Sequence, residues 1–112
     1  MPRNMSFMLT KEQIRNHTKT VTRRCGWWFL KPGDIVNACE KCMGLKKGEK
    51  VKVMCRIRIK STNMEALSNM TDDEPAKEGF PDMSRSEFIH FFCNHMKCDM
   101  ARVVNRIEFE YI

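Results

Sequence analysis

One stretch constrains the fold more than any other. Between residues 51 and 60, Val51, Val53, Cys55, Ile57 and Ile59 alternate with Lys52, Met54, Arg56, Arg58 and Lys60. Alternation with period two marks a strand with one buried face and one solvated face. Here the solvated face is strongly basic. The chain is thereby tied to a sheet.

Other segments read around it. Residues 5–9, Met-Ser-Phe-Met-Leu, form a short strand. Thr10 caps a short helix that carries Ile14 and ends near Asn16, with Gln13 as capping-box partner. Thr18, Thr20 and Thr22 are β-branched at alternating positions and predict an extended segment. Lys31-Pro32-Gly33-Asp34 suits a type II turn, with Pro second and Gly third. Ile35 to Ala38 follows as a strand. Residues 40–50 make a basic loop with two glycines. Thr71-Asp72-Asp73-Glu74 is a capping box, with Gly79 as the stop of its helix. Ser84 and Glu87 form another, opening a helix whose apolar stripe is Phe88, Phe91, Phe92 and Met96. The last strand runs near Val103 to Tyr111, with Ile107, Phe109 and Tyr111 on one side. Strands with inserted helices predict an α+β fold, and a small barrel with short helices over one opening removes exposed edges.

Length and composition limit the classes. The chain has 112 residues, 42% apolar and 30% charged. That is one domain, 1–112, with enough residues for a core of its own. No apolar run approaches a membrane span, and no secretory signal is visible at the start. A cytoplasmic protein is expected, with its six cysteines as reduced thiols. Cys39, Cys42, Cys93 and Cys98, the last two with His95 between them, are residue types that hold zinc, but the second pair is poorly spaced and lies on a helix. No metal and no cofactor is expected.

Charge is unevenly spread. Residues 1–60 hold 15 Lys/Arg against 4 acids, and residues 61–112 hold 5 against 10. This asymmetry suggests one face that meets an anion, with a nucleoside, a nucleotide or RNA the natural partner. Lys52, Arg56 and Arg58 suit a phosphate backbone or plain solvent equally. No G-x-S-x-G, P-loop or G-x-G-x-x-G pattern is present.

The run Lys19-Thr20-Val21-Thr22-Arg23-Arg24, followed by Lys31-Pro32-Gly33-Asp34-Ile35-Val36, resembles the ASCH domain family. Ser6-Phe7 and Glu78-Gly79-Phe80 resemble it too. The resemblance spans about Ser6 to Tyr111 and is nearest to small stand-alone phage and bacterial members. It implies a PUA-like barrel that binds RNA or nucleotides in a basic cleft. One bacterial branch hydrolyses N(4)-acetylcytidine with a Lys base, a Thr nucleophile and a Glu proton donor. The matching positions are Lys19, Thr22 and Glu78, with Arg24 at the closing arginine. Phe7, Thr20, Arg23, Arg24, Trp27, Trp28 and Lys31 are the expected substrate or nucleic-acid contacts. The alternatives are a ribonuclease and a non-catalytic RNA-binding module. A monomer is expected. Trp27-Trp28 and the long basic loop depart from the family's minimal enzyme.

Read as chemistry, the run sets conditions. Lys19 and Thr22 fall on opposite faces of an extended chain and converge only across a bend. A Thr nucleophile needs a neighbouring base. Lys serves only when burial or nearby positive charge, here Arg23 and Arg24, lowers its pKa. Glu78 must then carry a proton to the leaving amine. Arg24 offers a planar fork to an oxygen. Of Trp27 and Trp28, adjacent on the chain, at most one faces a cleft. His17, His90 and His95 have no evident partner.

Overall fold

The computed structural model describes residues 2–42 and 45–112. Five strands form one sheet: β1 (Arg3–Ser6), β2 (Val21–Arg24), β3 (Ile35–Cys39), β4 (Val53–Ala66) and β5 (Val103–Tyr111). Three short helices accompany them: α1 (Lys11–Arg15), α2 (Glu74–Lys77) and α3 (Arg85–Met96). The strand order is β1-β3-β4-β5-β2. The β1–β3 pair is parallel and the other pairs are antiparallel. This is the expected α+β architecture, drawn as a curled half-barrel.

The curl has a local cause. β4 runs past Lys60, where its hydrophobic alternation stops, because β5 continues to pair with it as far as Ala66. Ile59 pairs with Phe109 and Ser61 with Glu108, leaving Lys60 as an extra residue. Such a bulge bends a strand and increases its twist. Two apolar clusters result. Ile57, Ile59, Ile107 and Phe109 pack with Met5, Val36 and Ala38 in one. Leu67, Met70 and Val104 pack with Phe88, Ile89 and Phe92 of α3 in the other.

The two edge strands of the order, β1 and β2, are bridged by a side chain. Arg24 of β2 donates Nη2–H to the Ser6 carbonyl of β1 at 2.6 Å, and its guanidinium lies 4.8 Å from the centre of the Phe7 ring. A buried carbonyl without a partner is costly, so this contact satisfies an edge that would otherwise stay open.

Several local expectations shift. The first strand covers Arg3–Ser6 rather than 5–9, and the Thr10 N–H turns back to the Phe7 carbonyl at 3.0 Å. Thr10 makes no side-chain cap, and the Gln13 amide donates to the Gly79 carbonyl at 3.0 Å rather than joining a capping box. α2 begins at Glu74, three residues after Thr71, and has no side-chain cap. The Glu74 carboxylate is drawn away by Arg106 and Arg23. The Ser84–Glu87 box forms as expected, with both hydrogen bonds in place. So does the 31–34 turn, which closes from the Asp34 N–H to the Lys31 carbonyl at 3.0 Å with Gly33 at φ +95°. The basic loop of 40–50 includes Met43 and Gly44, which lie outside the described residues.

Candidate active site

Lys19 and Thr22 line one cavity, although an unbroken strand would point them to opposite faces. Lys19 lies before β2, in the segment that leaves α1. His17 turns the chain with φ 60° and stacks on Tyr111 at 4.0 Å. The Tyr111 hydroxyl donates to the Lys19 carbonyl at 2.6 Å. The Thr20 N–H donates to Lys77, and the Thr20 carbonyl accepts from Phe109. Contacts from α2 and β5 therefore hold Lys19 out of the strand's alternation, and its side chain turns toward α2.

There the Lys19 ammonium donates to the Glu78 carbonyl at 2.7 Å and to Glu78 Oε1 at 3.0 Å. Arg23 Nη1 donates to Glu78 Oε2 at 2.9 Å. Arg23 Nη2 donates to Glu74 at 2.9 Å and to Glu65 at 3.4 Å. Arg106 closes on Glu74 from the other side with bonds of 2.6 and 3.2 Å. Both Lys19 and Glu78 are buried, and the Arg23 side chain has no exposure at all. Charges this deep persist only when paired and hydrogen-bonded.

Gly79 holds Glu78 in place. Its φ of +103° is a left-handed conformation that favours glycine, and a Cβ there would lie 2.9 Å from Gln13 Cγ. Glycine at this position therefore lets the chain end α2 and pack against α1 without strain.

Thr22 is buried beside the pair, and its Oγ1 accepts from Arg24 Nε at 3.1 Å. Burial pushes the Lys19 pKa down, and Arg24 and Arg23 add to the fall; together they outweigh the opposing pull of Glu78. Burial also pulls Arg24 down to about 10, which leaves it charged at neutral pH. Among the described residues, no carboxylate pairs with Arg24. Glu78 acts on it only from beyond ion-pair contact.

These groups line a cavity of about 220 Å³. Lys19, Thr22, Arg23, Arg24 and Glu78 line it together with Phe7. Phe80, Phe88, Phe91 and Phe92 line it as well, joined by His95 and Met96 from the last turn of α3. The phenylalanine stripe was legible as core. Its second role was not, because a core face and a cavity wall have the same period.

The structure does not bring every expected residue here. Thr20 serves through its backbone. Trp27 packs on the first apolar cluster and against Phe29, at φ +62°. Trp28 is 48% exposed and lies beside Thr62, Met64 and Asn105. Lys31 is exposed at the head of its turn. The cleft is also less basic than the sequence suggested. The acids of the second half, Glu65, Glu74 and Glu78, fold onto Lys19 and Arg23 of the first. The six cysteines are free thiols in two groups, Cys39 with Cys42 and Cys55, and Cys93 with Cys98 and Cys25. Among the described residues, no three metal-ligating side chains converge.

A curled sheet with short helices around such a cavity is the ASCH, PUA-like fold. The structure matches an ASCH domain from Lactobacillus crispatus JV V101 with TM-score 0.65 at 16% identity, over 97% of this chain and 78% of that one. It matches a DUF984 protein of Enterococcus faecalis V583 with TM-score 0.68 at 14% identity, over 100% of this chain and 80% of that one. A hypothetical protein of similar length matches with TM-score 0.65 at 18% identity, over 99% of this chain and 97% of its own. No protein-family model and no curated protein matches the sequence. Among the described residues, no helix is long and apolar enough to cross a membrane.

Proposed function

We propose that the cavity binds a modified pyrimidine nucleoside and hydrolyses its exocyclic amide, with N(4)-acetylcytidine as the reference substrate. The observation that carries this reading is the buried Lys19–Glu78 pair sharing one small cavity with the Thr22 hydroxyl. A volume of about 220 Å³ falls below the range of pockets for larger ligands and suits a base or nucleoside rather than a strand. The aromatic side of the cavity receives the pyrimidine ring.

The chemistry follows from the pair. When substrate excludes water, a proton passes from Lys19 to Glu78, since a dry site disfavours separated charges. The neutral Lys19 amine then takes the Thr22 proton, and Oγ1 attacks the acyl carbon. Arg24 donates to the developing oxyanion. Glu78 returns its proton to the exocyclic nitrogen, and cytidine leaves. Lys19 then passes the Thr22 proton to Glu78, takes a proton from water so that the hydroxide attacks the acyl carbon, and Glu78 protonates Thr22 Oγ1 as the acid leaves, which restores the ion pair.

The test is release of cytidine and acetate by the unaltered chain and by Lys19→Ala, Thr22→Ala and Glu78→Ala. The reading requires turnover that each substitution abolishes.

A second reading is RNA binding without catalysis. It is supported by Arg56 and Lys60, exposed cations on β4. Polynucleotide affinity that falls steeply with salt, with no turnover, would favour it.

A further inference from the structure

The C-terminus of α3 ends in a left-handed residue, Lys97, with φ 54°. Its N–H and the N–H of Cys98 both reach the Cys93 carbonyl, the latter at 3.1 Å. The Cys98 bond is the long one of the Schellman motif, and the two residues it joins frequently bring their side chains into contact. Those two positions are ordinarily apolar. Here both are cysteine.

The neighbourhood agrees with the backbone. Cys93 and Cys98 both pack, partly buried, against the second apolar cluster, near enough for the Cys98 thiol to raise the pKa of Cys93. Cys93 also lines a separate cavity of about 340 Å³, beside His90, Asp99 and Met100, which gives a small molecule a way in. His95 and Met96, which line the candidate active site, lie between the two cysteines on the chain.

We propose that Cys93 and Cys98 are a reversible dithiol–disulfide pair, oxidised by exchange with a small-molecule disulfide, that staples the last turn of α3 beside the active-site cavity. The thiolate of Cys93 attacks one sulfur of the disulfide, forming a mixed disulfide and releasing one thiolate. The Cys98 thiolate then attacks the Cys93 sulfur and releases the second. The two cysteines lose two electrons, the small disulfide gains them as two thiols, and the two cysteine protons pass to those thiols. Burial raises the Cys93 thiol above its ordinary value, with Cys98 and Asp99 adding to the rise. Exchange is therefore faster in mildly alkaline buffer.

The test uses the full chain. It is equilibrated with glutathione disulfide, its free thiols are alkylated, and its peptides are mapped without reduction. The expected result is loss of two of the six thiols, a Cys93–Cys98 link, and recovery of both under dithiothreitol. Cys98→Ser should instead accumulate a stable glutathione adduct on Cys93, and Cys25→Ser should behave as the unaltered chain does. A Cys25–Cys93 link in the unaltered chain, a lasting adduct there, or six retained thiols would each overturn the proposal.

Discussion

Glu78 holds the Lys19 ammonium twice, through its backbone carbonyl at 2.7 Å and its carboxylate at 3.0 Å. The residues stand 59 apart in sequence, one before β2 and the other at the end of α2. Their contact fixes one end of the cavity and joins the basic half of the chain to the acidic half.

Removing the Glu78 carboxylate leaves the buried Lys19 without an ion-pair partner, while Arg23 keeps Glu74 and Glu65. Breaking a buried pair by deleting one partner costs about 3–5 kcal/mol. Glu78→Ala is expected to lose stability on that scale in urea denaturation. Lys19→Met should lose less, because Glu78 keeps Arg23 as its partner. Equal losses would mean that Arg23 does not hold the carboxylate.

Gly79→Ala forces a side chain into a left-handed backbone and against Gln13. Strain of this kind costs about 1–3 kcal/mol. The melting temperature should fall, and removing the Gln13 side chain beyond Cβ with Gln13→Ala should recover only part of the loss. Full recovery would place the cost in the contact and not in the backbone.

The fold class was legible in the alternation of residues 51–60 and in the helices inserted between strands. Lys19, Thr22 and Glu78 came from the resemblance to the ASCH family, and all three line one cavity. What stayed hidden depends on distant contacts. Nothing local to Gln13 says that its amide leaves a capping box for Gly79. Nothing local to Lys60 announces a bulge, since the register belongs to β5 as much as to β4. Of Trp27 and Trp28, which follow the basic run, the sequence allows at most one to face a cleft, and neither does. The turn at Trp27 sends one onto the core and leaves the other on the surface. The neutralisation of Arg23 also required acids more than forty residues away.

Acid should loosen the network through Glu74. Burial alone would raise its pKa, but hydrogen bonds from Arg106 and Arg23 outweigh that, and the folded value lies below the ordinary 4.5. Between the two values the unfolded chain binds more protons, so stability rises with pH there and is lost as pH falls through the folded value. Denaturation measured as pH drops below 4.5 should show this decline, and Glu74→Gln should flatten it. An unchanged slope would assign the acid sensitivity to other carboxylates.

Lys19 acts as a base only when neutral, and its folded pKa lies below 10.5. Because the reaction uses the one proton that Lys19 shares with Glu78, kcat/KM should fall as pH rises, along a limb whose midpoint is below that value. Lys19→Arg should remove the limb together with the activity, since a guanidinium keeps its proton. A limb that survives in Lys19→Arg would belong to another group.

Thr22 separates catalysis from architecture. Its hydroxyl accepts one hydrogen bond, from Arg24, and its removal should cost only about 1 kcal/mol of stability. The decisive measurement is the time course of cytidine and acetate, followed by proton NMR, as unaltered chain and Thr22→Ala each meet N(4)-acetylcytidine. Stoichiometric release by the unaltered chain, with none by a folded Thr22→Ala, is the predicted result. Equal release by both, or none by either, would contradict the account.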